Sequence, residues 1–124
     1  MISLAKPWFG LKERENLKDC IESGWVSYRG EYVKKFEEAF AESVGTNYAV
    51  ACSSGTAALH LALLALGIGK GDEVIVPTLT FIATANAVSY TGATPVFVDS
   101  HQKYMGMDPE EVVNKITPKT KAII

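Results

Sequence analysis

Four residues, Ser53-Ser54-Gly55-Thr56, carry the plainest chemical signal in this chain. Small side chains and a glycine let the backbone turn sharply between an apolar run at 48–52 and an almost wholly apolar helical run at 57–66. A helix that begins there presents unpaired N–H groups and the positive end of its dipole, so the turn suits an anion. The hydroxyls of Ser54 and Thr56, with a few backbone N–H groups, would satisfy the oxygens of a single phosphate. The same residues also suit an ordinary helix cap, in which a serine oxygen accepts from the first turn. The motif alone leaves both readings open. It does exclude two nucleotide fingerprints: the lysine and second glycine of a nucleoside-triphosphate loop are lacking, and Gly67, Gly69 and Gly71 follow a helix instead of opening one.

A second feature lies at Pro77-Thr78-Leu79-Thr80-Phe81, after the run 73–76. In an open α/β sheet this is the carboxyl edge, where ligands bind, and it is the edge to which the serine-glycine turn belongs. Phe81 by itself reads as a core aromatic packed on the sheet. Beside an anion cradle it reads instead as one wall of a crevice. The other candidates are weaker. His60, inside the apolar helix, reads as a hydrogen-bonded core histidine, His101 as a solvated loop residue, and Cys52 as a buried strand-end thiol. The histidines are far from each other and from any carboxylate cluster, so no metal site assembles at usual spacings.

The elements that must position these residues follow from periodicity. Leu17, Cys20 and Ile21 fall on one face of a helix over 11–23 that ends at Gly24. A second helix over 31–43 places Val33, Phe36 and Phe40 on an inward stripe. From 48 to 124 short β runs alternate with helices, the signature of a layered α/β domain with a largely parallel sheet. The predicted strands are 48–52, 73–76, 94–98 and the start of a fourth at 121–124. Thr80 is expected to cap a helix that ends at Gly92. Asp108-Pro109-Glu110-Glu111 opens another, with Asp108 as N-cap, Pro109 in the first helical position and Glu111 completing a capping box. A half-made terminal strand leaves a sheet edge unsatisfied, so the chain reads as a fragment of a longer protein.

Composition narrows the partners. The 124 residues suffice for one core, nearly half are apolar, and the net charge of −2 is spread along the chain. No Lys/Arg stripe with interleaved aromatics would neutralise a run of phosphates, so a nucleic-acid partner is disfavoured. Lys115, Lys119 and Lys121 read as a solvated helix exit and loop. Cys20 and Cys52 form neither a disulfide framework nor a metal spacing. The first seven residues lack the apolar stretch of a signal peptide and no later run reaches membrane-spanning length, so no membrane partner is expected and the cytoplasm is the default compartment.

In order along the chain stand Gly24-Trp25-Val26-Ser27 with Gly30, Phe36-Glu37, and Ser53-Ser54-Gly55-Thr56-Ala57-Ala58-Leu59. Gly71-Asp72-Glu73-Val74-Ile75, Thr80-Phe81-Ile82-Ala83-Thr84-Ala85-Asn86-Ala87 and Pro95-Val96-Phe97-Val98-Asp99 follow. Each is common, but the ordered set resembles the DegT/StrS family of sugar aminotransferases, which use pyridoxal phosphate on the large domain of the aspartate-aminotransferase fold. The resemblance implies that residues 1–124 form the N-terminal part of that large domain. It implies that Gly55 and Thr56 hold the cofactor phosphate with the Ala57 N–H and a nearby serine hydroxyl such as that of Ser54, and that Phe81 stacks on the pyridine ring. It places Trp25, Val26 and Ser27 in a loop on the nucleotide-sugar side of the site, near a partner subunit; a tryptophan plugging the gap between the first two helices is the competing reading. Asn86 and Asp99 lie in matching motifs, where Asn86 alternatively bonds backbone and Asp99 caps a turn.

The family's Schiff-base lysine and its acidic partner for the pyridine nitrogen match nothing in this sequence, and Lys70, Lys119 and Lys121 fall outside every matching motif. The resemblance therefore implies an intact homodimeric enzyme that moves an amino group from glutamate to a nucleotide-linked keto sugar, and a segment that does not catalyse this alone. Two alternatives stand: a sugar dehydratase of the same family, or a non-catalytic α/β module whose serine-glycine turn only caps a helix.

Overall fold

The computed structural model describes residues 5–124; the reading of the N-terminus falls partly on residues 1–4, outside them. The chain forms two compact units, the first ending at Ala51 and the second spanning Cys52–Ile124.

The first unit holds helices α1, Leu11–Ser23, and α2, Glu31–Val44. Helix α1 starts where the Gly10 N–H donates to Glu13 Oε2 at 2.7 Å, and ends at Gly24 as its sequence predicts. The Tyr32 hydroxyl donates to Asp19 Oδ2 at 3.1 Å, tying α2 to α1. Burial pushes the Tyr32 phenol up, and the Asp19 hydrogen bond adds to that shift. In the first turn of α2, Glu31 meets Lys35 Nζ at 2.7 Å. That hydrogen bond and the opposite charge hold the Glu31 carboxyl below its ordinary value and the Lys35 ammonium above its own.

The apolar stripe of α2 is not covered within this unit. Phe36 and Phe40 are 57% and 50% exposed, their rings 5.8 Å apart, and Ala41 is the residue of α2 that is buried. Two helices and a short tail have too little apolar surface to enclose both aromatics. Residues 48–52 also depart from expectation: they join no strand ladder. A strand exists through its neighbour, and here the Ala51 N–H donates to the Glu37 carboxylate at 2.8 Å, a side chain taking the bond a strand would take.

The second unit is built on a parallel three-stranded sheet of order β2-β1-β3, with β1 Glu73–Pro77, β2 Thr94–Val98 and β3 Thr120–Ile123. The last of these is the strand predicted at the chain end. Three further helices are α3, Gly55–Ala65, α4, Ile82–Tyr90, and α5, Pro109–Lys115. The crossover β1-α4-β2 and the crossover β2-α5-β3 run in opposite directions across the sheet, so right-handed connections put α4 and α5 on opposite faces. Helix, sheet and helix therefore form three layers. Val74, Ile75 and Val76 of the central strand are fully buried, as a continuous apolar run in a two-sided parallel sheet requires. Val74 and Val76 pack with Leu63 of α3, Ala87 and Val88 of α4, and Ile68 and Ala93 from the turns. Gly67 makes the return from α3 to β1 at φ 73°, a conformation that disfavours any side chain.

Two capping expectations change. Thr80 is not the N-cap of α4; Phe81 is, with extended backbone and no side-chain bond, while Thr80 Oγ1 lies 3.3 Å from Thr84 Oγ1. At α5, Asp108 is the N-cap and Pro109 is in the first turn as expected, with Asp108 Oδ1 accepting from the Glu110 N–H at 3.0 Å. The reciprocal capping-box bond to Glu111 is absent because the Asp108 N–H already donates to the Asp99 carbonyl at 3.0 Å.

Candidate functional site

The second unit brings two helix starts to one edge. Helices α3 and α4 pack side by side, and their C-terminal ends meet: a side chain at Gly69, beyond α3, would touch the Thr91 carbonyl, and one at Gly92, beyond α4, would touch Lys70. Helix α4 follows the carboxyl end of β1, so its start lies at that edge. The parallel alignment places the start of α3 there too. Both dipoles direct their positive ends to the carboxyl edge of the sheet.

At the start of α3 the cap is explicit. Ser54 has extended backbone, its Oγ accepts from the Ala57 N–H at 3.2 Å, and its carbonyl accepts from the Ala58 N–H at 3.0 Å. The cap reading of the motif is thus realised, and the Ala57 N–H expected at a phosphate is engaged with Ser54. The cradle is not used up by this. The N–H groups of Gly55 and Thr56 take no hydrogen bond among the described residues, and a Cβ built on Gly55 would meet no atom within 4 Å. Two free donors, open ground in front of them and a helix dipole behind them fit a phosphate group.

Phe81 is 86% exposed, which removes the core reading of this aromatic. The residue follows the carboxyl end of β1 and is open to solvent, so the groups present at this edge are of the kinds that fit a phosphorylated aromatic ring: donors for the phosphate and an uncovered aromatic side chain for the ring. Asp99, at the end of β2, is exposed and uses its carbonyl to receive the Asp108 N–H; Asn86 is half-buried within α4.

Trp25, Val26 and Ser27 belong to the first unit, in the loop between α1 and α2. Trp25 is 59% exposed and does not plug the space between the helices. The loop is a tight turn: the Gly30 N–H donates to the Ser27 carbonyl at 2.9 Å, and Ser27 Oγ accepts from the Arg29 N–H at 3.4 Å. A side chain at the buried Gly30 would press on the carbonyls of Ser27 and Trp25, at 3.1 and 3.2 Å, which explains a glycine there.

The histidines differ from expectation. His60 is only half-buried, its Nε2 is buried without a hydrogen-bond partner among the described residues, and its ring meets the Tyr90 edge at 5.6 Å. His101 is half-buried, accepts from the Lys103 N–H through Nδ1 at 3.2 Å and stacks on Tyr104 at 4.9 Å. Cys20 and Cys52 are both half-buried thiols. One residue passed over in the sequence is Thr84, a buried hydroxyl in the first turn of α4. The spacing of Thr80 and Thr84, four residues apart at a helix start, was the available signal.

Known proteins resemble this chain in sequence and in fold. The profile of the DegT/DnrJ/EryC1/StrS aminotransferase family matches residues 9–124. The chain is 54% identical over 123 residues to the GDP-perosamine synthase of Escherichia coli O157:H7, covering 99% of this chain and 34% of that protein. It is 50% identical over 123 residues to the GDP-perosamine synthase of Caulobacter vibrioides, covering 99% and 33%. A Streptococcus pneumoniae protein described as a candidate sugar aminotransferase and solved in its PLP form superimposes with a TM-score of 0.92 at 37% identity, over 98% of this chain and 31% of that one. The chain thus spans about a third of the length of these relatives. It has the α/β fold of their corresponding part, and it belongs to the DegT/DnrJ/EryC1/StrS aminotransferase family.

Proposed function

We propose that the intact protein is a pyridoxal-phosphate-dependent aminotransferase that moves an amino group from glutamate to the keto carbon of a GDP-linked sugar. The observation that carries this reading is the pairing of free Gly55 and Thr56 N–H groups with the exposed Phe81 ring at one sheet edge, in a chain about half identical to two GDP-perosamine synthases. Pyridoxal phosphate, when bound, supplies the electron sink through which an amino group passes from donor to acceptor.

The chain's own part is to bind and orient. Gly55 and Thr56 donate backbone hydrogen bonds to the phosphate, Ser54 holds the first turn of α3 in place, and the dipole of α3 favours the phosphate charge. Phe81 presents a flat face to the pyridine ring, a contact worth about 1 kcal/mol beyond burial. The family resemblance assigns Trp25, Val26 and Ser27 to binding of the nucleotide sugar. The family's Schiff-base lysine and its acidic partner match no residue of this sequence, and the reading assigns no transamination to the segment by itself. The working enzyme is a cytoplasmic homodimer.

The test uses purified full-length protein. It should show a visible absorption band that borohydride abolishes, and should transfer nitrogen from labelled glutamate to a GDP-linked keto sugar. Loss of water from the sugar with no nitrogen transfer, and with no Schiff-base band, would identify a dehydratase in which the lysine is replaced. Absence of the band, of transfer and of dehydration after addition of the cofactor would reject the enzyme reading in favour of a non-catalytic module.

A further inference from the structure

We infer that Thr84 is a positioning residue, whose buried hydroxyl holds the turn before α4 so that the Phe81 ring stands over the carboxyl edge. The inference rests on the reading of Phe81 as the ring-stacking residue. Thr84 is 8% exposed and is the buried polar residue among the described residues. A hydroxyl in such a place costs stability unless it is hydrogen-bonded, and a valine of nearly equal shape would fill the same space without that cost. Its partner is Thr80 Oγ1 at 3.3 Å, on the residue immediately before Phe81.

The bonds around Phe81 form a clamp. On the far side, the Thr84 N–H donates to the Phe81 carbonyl at 3.1 Å, while at the start of the turn the Thr78 N–H donates to the Val98 carbonyl of β2 at 2.9 Å. Phe81 stands at the N-cap without a capping side chain. Its ring is too exposed to be held by packing, so its direction is set by the backbone, and the backbone between Thr78 and Thr84 is set by these bonds. A ring held in place before the ligand arrives loses less freedom on binding.

The experiment compares full-length Thr84→Val, Thr84→Ser, Thr80→Val and Phe81→Ala with the unaltered protein. Amide hydrogen exchange of residues 78–84 is measured in the cofactor-free form, and the dissociation constant for pyridoxal phosphate by absorbance. Thr84→Val should speed exchange at 81–84 and weaken cofactor binding, each about fivefold, the size expected for one hydroxyl hydrogen bond. Thr80→Val, which removes the same bond from the exposed partner, should do likewise, and Thr84→Ser should behave as the unaltered protein. If Thr84→Val does not fold, Thr80→Val decides the question. Unchanged exchange and affinity in the valine variants, with affinity lowered in Phe81→Ala, would overturn the role of Thr84 alone. Unchanged affinity in Phe81→Ala would overturn the stacking reading and this inference together.

Discussion

Ser54 performs one task visibly and a second by implication. Its Oγ caps α3, so Ser54→Ala should lower stability by about 1 kcal/mol in a denaturant titration, as loss of a serine N-cap does. That outcome says nothing of an anion, because the cap binds the Ala57 N–H and leaves those of Gly55 and Thr56 free. The serine-glycine turn was legible in the sequence as a helix start that suits either a cap or an anion, and the small residues alone do not choose between the two. Phe81 as an exposed ring was not legible: an apolar residue at a helix start gives no sign of whether it faces the sheet or the solvent. Thr80 misled for a related reason, because a threonine before an apolar helix is the usual cap, and only the burial of Thr84 shows that Thr80 turns toward it.

Among the elements, β1 and the helix α4 that follows it were readable because their sequences suit one environment. The run Val74-Ile75-Val76 fits a strand covered on both faces, and it is completely buried. Ile75→Ala should therefore cost about 2–5 kcal/mol in thermal or chemical unfolding, the range for truncating a core isoleucine. Residues 48–52 carry an equally apolar pattern yet form no ladder, because pairing depends on a neighbour that their own sequence does not encode. The stripe of Phe36 and Phe40 likewise marks a face of α2 correctly without fixing what covers it.

At the start of α2, pH should report on the Glu31–Lys35 pair. The Glu31 pKa is depressed, so its contribution is present above the ordinary carboxylate range and is lost as pH falls through the depressed value. The Lys35 pKa is raised, so its contribution is present below the ordinary lysine range and is lost as pH rises through the raised value. The difference in circular dichroism between a peptide spanning α2 and its Glu31→Gln variant should be largest near neutral pH, vanish as Glu31 is protonated at low pH, and fall only in part at high pH, where the Glu31 carboxylate still meets the positive end of the helix dipole. A difference independent of pH would show that the pair adds nothing to the helix.

At the scale of the whole second unit, three layers and a parallel sheet direct the starts of α3 and α4 to one edge, where the fold leaves donors and an aromatic face exposed. The alternation of strands and helices made that architecture readable, while the use of its edge required the structure, because a cap and a cradle share the same letters. One substitution separates the two. Gly55→Asp adds a carboxylate to open ground at a helix start, where negative charge favours the helix, so the fold should be at least as stable. The same carboxylate would occupy and repel the place of a phosphate. The decisive measurement is the dissociation constant of the full-length, cofactor-free Gly55→Asp protein for pyridoxal phosphate, read beside its unfolding temperature. An affinity lowered at least about tenfold, a difference near 1.4 kcal/mol, with the unfolding temperature retained, is the expected result. Unchanged affinity would mean that the start of α3 caps a helix and holds no cofactor.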